Sequence, residues 1–461
     1  MSATQPVRYP DARNRSVMTR RAWTLVGLNV LIPGSAQVLA GDRRLGRFGL
    51  GATLVLWTLA VLLGLVAIVR REWILTLATN SWALGAGVLV LAFYAVLWVI
   101  LTLDTLRLVR FVKVAPGARA PLALLSLVVL GALVGGSAFA GTRAVSAIGV
   151  LQTVFGGGAT FADPIDGRYN ILLLGGDAGP DRDGLRPDST SVVSIDAETG
   201  ESVIFGIPRD LLDAPFPADS PMAALYPNGY GYDDVCNVDV CQFNSIYTEV
   251  EVNSPELYPD AAAQGSSPGI EATRDAAEGV TGLTIPYYVL IDMEGFSQLI
   301  DALGGVDVTV TERVPIIFDL DDDGNLTGDG EWIEPGRHHF NGYYALWYAR
   351  ARHGTSDYDR MARQKQIEEA MLVQMDPANV LLHFNEVAAA GADVVRTDIP
   401  SSLLGHLVEL GLRAKQLAEP VTTVDFVPPD WSPEYPDFAA IQAQVQSLVG
   451  PPPTESPAPQ G

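Results

Sequence analysis

Three apolar runs of bilayer length constrain this 461-residue chain more than any other feature. They cover roughly residues 50–68, 82–101 and 121–140, and none carries a charge. About 20 apolar residues suffice for a helix to cross the hydrocarbon of a bilayer, so each run predicts a membrane-spanning helix. A fourth apolar stretch, 24–40, is shorter and is broken by Pro33-Gly34-Ser35. It reads as a re-entrant or interfacial segment, with a fourth span as the alternative.

The charges around these runs give a direction. Basic residues cluster at Arg13, Arg15, Arg20 and Arg21, at Arg43, Arg44 and Arg47, and at Arg107, Arg110, Lys113 and Arg119; a smaller pair is Arg70-Arg71. With three spans, the three larger clusters fall on one side, which the positive-inside rule makes the cytoplasm. Everything after about residue 142 is then outside the cell. A fourth span would leave the second part inside or require the N-terminus to face out. No removable signal peptide is evident before the first span.

The second part holds nearly all the acidic residues, so the formal net charge of -23 describes two unlike halves. A strongly acidic, external domain disfavours nucleic acid as a partner. Two cysteines, Cys236 and Cys241, lie there. An oxidising compartment would let them pair as a disulfide; two free thiols are the alternative. A zinc site lacks the ligands to complete its shell.

The organisation reads as a basic tail (1–23), a membrane region (24–142), a linker (143–167), a catalytic domain (168–376), a helical completion of that domain (377–447) and a disordered proline-rich tail (448–461). Strand patterns at 169–174, 189–195, 202–207, 287–291 and 306–310 alternate with helical periodicity at 270–281, 293–302, 341–348, 359–374 and 401–418. That alternation predicts an α/β fold, an α/β/α domain with a central mixed sheet, preceded by an all-α transmembrane region.

Several residues point to anion and metal chemistry. Arg350, Arg352, Arg360 and Arg363 fall within fourteen residues of a half poor in arginine. Guanidinium forks match phosphate oxygens. In an extended stretch Arg350 and Arg352 would face the same way, while Arg360, Arg363 and Gln364 share one helix face. Glu368 and Glu369 offer a competing structural reason for the cluster. Arg209 and Asp210 leave a strand just after Pro208; the alternative is a surface ion pair. Asp177 and Asp188 bracket the first loop and would project from one edge of the sheet. Two carboxylates with substrate phosphates and waters can hold Mg²⁺ (or Mn²⁺); the bland reading is a turn cap and a pair with Arg186. The run 319–325, DLDDDGN, imitates a calcium loop but has Gly330 where the bidentate Glu belongs. It reads as a solvated hairpin tip. His338 and His339 are adjacent in a turn, poor geometry for one metal.

The segments NILLLGGD (170–177), RPDSTSVVSID (186–196), IPRD (207–210), YYVLIDMEGFSQLIDALGGVDVTV (287–310), GRHHFNGYYALWYARAR (336–352) and DYDRMARQ (357–364) together resemble the LytR-CpsA-Psr family of bacterial envelope proteins. Order and spacing agree over roughly 168–376, and the multi-span N-terminus resembles the actinobacterial branch. The resemblance implies an α/β/α fold with a long apolar groove. It implies transfer of glycopolymers from a polyprenyl-pyrophosphate carrier onto peptidoglycan, with Mg²⁺, by a membrane-anchored enzyme. On it, Asp177 and Asp188 hold the metal, and Arg186, Arg209, Arg350, Arg352, Arg360, Arg363 and Gln364 cradle the pyrophosphate. Asp357 orders the arginines or contacts the metal, and Asp210 or Asp357 is the general base. Phe296, Leu299 and Ile300 would line the polyprenyl groove or serve as ordinary core. The chain departs from the pattern at Tyr343-Tyr344, which replaces a more usual charged pair. A lipid pyrophosphatase and a non-catalytic, lipid-binding envelope regulator are the alternative functions.

Overall fold

The computed structural model describes residues 5–155, 163–177, 186–320, 326–351, 356–374 and 395–450. The chain divides into two compact units, Met1–Gly149 and Val150–Gly461.

The first unit is helical. Helix α1 (Arg15–Leu31) starts at Asn14, whose side chain accepts from the amides of Ser16 and Val17. The chain reverses at Pro33-Gly34 into α2 (Ser35–Ala40). Gly34 has φ 95°, a left-handed conformation that glycine adopts without steric cost. Helices α3 (Arg43–Val69), α4 (Ser81–Val109) and α5 (Pro116–Val154) follow. Three helical stretches here are long and apolar enough to cross a membrane, and they contain the three runs read from sequence.

The stretch 24–40 is not a further span-length helix among the described residues. It is the end of α1, a turn and α2, packed on α3 and α4. Gln37 is fully buried and donates to the Leu101 carbonyl (2.8 Å) and Thr105 Oγ1 (2.9 Å). Asn29 donates to Thr102 Oγ1 (3.1 Å), and Thr53 donates to the Pro33 carbonyl (3.1 Å). Polar groups paired in this way hold helices together where apolar burial gives little preference. The expected linker from 143 is corrected at its start: α5 continues to Val154, since 143–154 contain no helix-breaking proline and only Gly149.

The second unit is built on a six-stranded sheet. Its strands are β1 (Arg168–Asp177), β2 (Arg186–Asp196), β3 (Ser202–Ile207), β4 (Tyr287–Asp292), β9 (Val395–Thr397) and β10 (Val421–Asp425), in the order β10-β3-β2-β1-β4-β9. Pairs β1–β4 and β3–β10 are parallel and the other three antiparallel, so the sheet is mixed as expected. Both faces are covered, which explains the unbroken apolar run of β1. Leu172 and Leu174 enter a core that includes Phe205, Ile270, Ala277 and Val445. Tyr169 and Ile171 enter the opposite core with Tyr287, Leu403 and Leu410. The helices are α6 (Pro268–Thr281) and α11 (Phe438–Val449) on the first core and α10 (Ser401–Ala414) on the second.

A third cluster lies beside this sheet. It joins α7 (Met293–Leu303), β5 (Val306–Val310), β6 (Val314–Leu320), β7 (Leu326–Ile333), β8 (Gly336–Phe340), α8 (Gly342–Arg350) and α9 (Asp357–Gln374). Gly304, with φ 89°, ends α7.

Three boundaries differ from expectation. The segment 377–447 completes the domain as expected but not with helices only: it also supplies β9 and β10, the two edge strands. Short strands such as VRT at 395–397 carry too little alternation to be read locally. His338 and His339 lie in β8 rather than a turn, paired with Val308 and Asp307. The tail begins later than 448, because α11 runs to Val449. The acidic run 319–325 begins inside β6, where Asp319 and Leu320 pair with Thr327 and Leu326; 321–325 lie outside the described residues.

Candidate functional site

Two elements set this site. At the end of β1 the partner of Gly175 is Ser189 and that of Gly176 is Pro187, so Asp188 is the extra residue of a β-bulge. Bulges re-aim a side chain out of the regular alternation. The strand ends carrying Asp177 and Asp188 are thereby side by side, with Asp177 opposite Arg186 in register. The 178–185 loop lies outside the described residues.

The second element is the start of α9. Ser356 and Asp359 cap it reciprocally: Asp359 Oδ2 accepts from the Ser356 amide (2.7 Å), and Ser356 Oγ accepts from the Asp359 amide (3.1 Å). These bonds hold the Asp359 carboxyl below its ordinary range. They also fix where Asp357 and Arg360 leave the helix.

Four side chains then close a ring of charge. Arg209 Nη1 donates to Asp188 Oδ1 (3.1 Å), and its Nε pairs with Asp357. Arg360 Nη2 donates to Asp357 (3.1 Å), and its Nη1 lies 3.8 Å from Asp188 Oδ2. Burial opposes the charge on Arg209, but Asp357 and Asp188 more than offset it and raise its pKa. The Arg360 side chain is 3% exposed, whereas Arg209, Asp188 and Asp357 are each 21–29% exposed. The ring is anchored at its back and open at its front. Asp210 is half-buried beside it and accepts from the Tyr358 hydroxyl (3.1 Å). Burial and Asp210 push the Tyr358 pKa up to about 12, which keeps it protonated as the donor.

Arg363, one turn further along α9, is buried. Its Nε donates to the Tyr348 carbonyl (3.2 Å) and its Nη2 to that of Ala351. A cation at these last carbonyls complements the C-terminal end of α8, and burial lowers the Arg363 pKa. Arg350 is exposed and is the last residue of α8, not part of an extended stretch; helix formation through Tyr348-Ala349-Arg350 overrides the strand-like reading. Gln364 is half-buried on α9. Arg352 lies outside the described residues, and for Asp177 and Arg186 only the backbone is described.

Of the apolar candidates, Ile300 is completely buried in the third cluster and Phe296 packs against it. Leu299 is partly buried on the same helix. Cys236 and Cys241 form the expected disulfide.

Sequence reasoning passed over two features. Tyr358 stands inside the DYDRMARQ motif, yet nothing local shows that it reaches Asp210. Lys365 is 5% exposed and bonds Ser191 on β2 and Glu368 (3.0 Å). A lysine beside Gln364 looks solvated until the sheet is in place. Among the described residues no cluster of three or more His, Cys, Asp or Glu forms a ready metal cage.

The LytR_cpsA_psr family model matches residues 160–428, and the chain belongs to that family. The match includes β9 and β10 and so agrees with the wider domain. Biofilm regulatory protein A of Streptococcus mutans is 27% identical over 270 residues, covering 56% of this chain and 58% of that protein. Regulatory protein MsrR of Staphylococcus aureus is 28% identical over 238 residues, covering 51% and 58%. The chain thus spans less than two thirds of each. The polyisoprenyl-teichoic acid–peptidoglycan teichoic acid transferase TagV of Bacillus subtilis is 31% identical over 137 residues, 29% of this chain and 34% of that one. A crystal structure of TagV covers 62% of this chain and 98% of its own, at 22% identity and a TM-score of 0.42.

Proposed function

We propose that this protein is a membrane-anchored phosphotransferase that moves a glycan from a polyprenyl-pyrophosphate carrier onto peptidoglycan outside the cell. One observation carries the reading most: the ring of Arg209, Asp188, Arg360 and Asp357, open at the front, with Arg363 one turn further along α9. Its charges balance internally. A pyrophosphate can draw the guanidiniums outward while a cation takes their place on the carboxylates. Family membership and three span-length helices support a lipid-linked donor met at the bilayer surface.

The donor set fits a hard divalent cation, because carboxylates at adjacent strand ends suit Mg²⁺ completed by phosphate and water. Asp188 would hold it, with Asp177 across the bulge. When bound, Mg²⁺ supplies charge neutralisation on the pyrophosphate oxygens. The chain's own part is positioning and charge stabilisation, which dominate phosphoryl transfer. Arg209 and Arg360 bind the anion; the caps of α9 set Asp357 and Arg360, and Asp357 with Asp188 orients Arg209. The attacking hydroxyl oxygen of peptidoglycan forms a bond to the glycan-side phosphorus. The bond from that phosphorus to the bridging oxygen breaks, and polyprenyl monophosphate leaves. We assign the hydroxyl proton to Asp210, whose carboxylate accepts from the Tyr358 hydroxyl.

The test incubates the full chain in detergent with a lipid-linked glycan and Mg²⁺, with and without peptidoglycan. Glycan joined to the wall only when acceptor is present supports transfer. Phosphate release with no joined glycan would sink transfer and leave a pyrophosphatase. Tight lipid binding with neither product would leave the regulator. Asp210→Asn should cut transfer by about 10²-fold or more while leaving donor binding intact.

A further inference from the structure

Helix α8 carries a feature that the ring does not use. Tyr343, Trp347 and Arg350 stand at i, i+4 and i+7, one helix face. Their rings and fork are in register: Tyr343 and Trp347 are 6.3 Å apart edge to face, and the Arg350 guanidinium lies 5.5 Å from the Trp347 ring. Tyr343 is 44% exposed, Arg350 is exposed, and Trp347 between them is half-buried, one side packed against the third cluster. Tyr344 buttresses the strip from the side, 5.4 Å from Tyr343, its hydroxyl donating to Glu331 at 2.7 Å. The strip runs about 10 Å along the helix and ends beside the carbonyls that Arg363 holds.

This surface has a polarity. One end is the Arg350 guanidinium, at the end of the helix whose last carbonyls Arg363 holds, and the rest is aromatic and uncharged. Its complement is a ligand with an anionic head and flat, uncharged, hydroxylated rings behind it.

Resting on the transferase reading, we infer that Tyr343 and Trp347 form a sugar-stacking subsite for the first pyranose units of the donor glycan, next to its pyrophosphate. Pyranose C–H faces pack on aromatic rings through apolar burial, and Arg350 fixes the phosphate end. The strip therefore selects donors by the sugars nearest the phosphate.

The full chain in neutral detergent is titrated with three probes: a short-chain prenyl pyrophosphate bearing an N-acetylhexosamine disaccharide, the same pyrophosphate without sugar, and chitotetraose. Wild-type protein should bind the sugar-bearing probe more tightly than the bare one. Tyr343→Ala should weaken the sugar-bearing probe about five- to ten-fold and leave the bare one within about two-fold, whereas Tyr343→Phe should keep both. Tyr343 is exposed, so its replacement tests binding and not folding. An equal loss for both pyrophosphates, or no loss, overturns the subsite. Loss of chitotetraose binding in parallel, with no preference for the phosphate-linked probe, reassigns the strip to the acceptor and overturns it as a donor subsite. If the bare pyrophosphate binds and only the Tyr343 effect is missing, the subsite fails alone. A wild-type protein that binds neither pyrophosphate overturns the transferase reading as well.

Discussion

Arg360 illustrates how one side chain serves both the fold and the site. Its guanidinium is almost wholly enclosed yet pairs with two half-exposed carboxylates. Removing one partner of an enclosed pair leaves the other charges uncompensated, which costs about 3 kcal/mol. Arg360→Ala should therefore lower the chemical-denaturation midpoint of the domain and abolish pyrophosphate binding together. Arg360→Lys keeps the charge and loses the planar fork, so its stability should recover further than its binding. Glu278 shows burial outweighing a hydrogen bond. Burial, with Asp275 and Asp219 nearby, pushes its carboxyl up to about 7, although the Ile285 amide donates to it at 2.6 Å. Between about pH 4.5 and about 7 the unfolded chain loses a proton that the folded protein keeps, so stability falls as pH rises through that window and levels off above it. Glu278→Gln should flatten that part of the Tm-against-pH curve; identical slopes in the two proteins would refute the assignment.

Among the elements, α9 has the most to reconcile. Its capping box sets the register of Asp357 and Arg360, Arg363 ties it to the end of α8, and Lys365 ties it to β2. Gly206 on β3 makes the last contact possible. A Cβ there would run into the Asp425 carboxylate and come within 2.7 Å of Lys365 Cε. Gly206→Ala should destabilise the domain by about 1–3 kcal/mol and, by displacing α9, weaken pyrophosphate binding. Thermal unfolding and a binding titration on one preparation check both. The legible part of α9 was its arginine spacing, because i, i+3 and i+4 geometry is local. Its seat on the sheet was not legible, since Ser191 and Lys365 are 174 residues apart. The same distance argument explains β9 and β10. Their partners are fixed by the sheet, not by their own short patterns.

For the whole molecule, charge and hydropathy make the sharpest prediction. If the domain is outside, protease added to intact spheroplasts should digest a tag placed after Val449 and spare one at the N-terminus. Protection of both tags would place the domain in the cytoplasm and remove its access to peptidoglycan. By itself the sequence determined the three long apolar helices, the α/β character and the residue types of the candidate site. Each rests on composition or short-range periodicity, which a single chain displays directly. Only the tertiary structure decided that Asp188 sits on a bulge, that Arg209 and Arg360 share two carboxylates, that Tyr358 holds Asp210, and that Tyr343 and Arg350 stay exposed on either side of a half-buried Trp347. Those facts depend on which distant segments pack together, and packing is settled by the fit of the whole core, not by any local stretch.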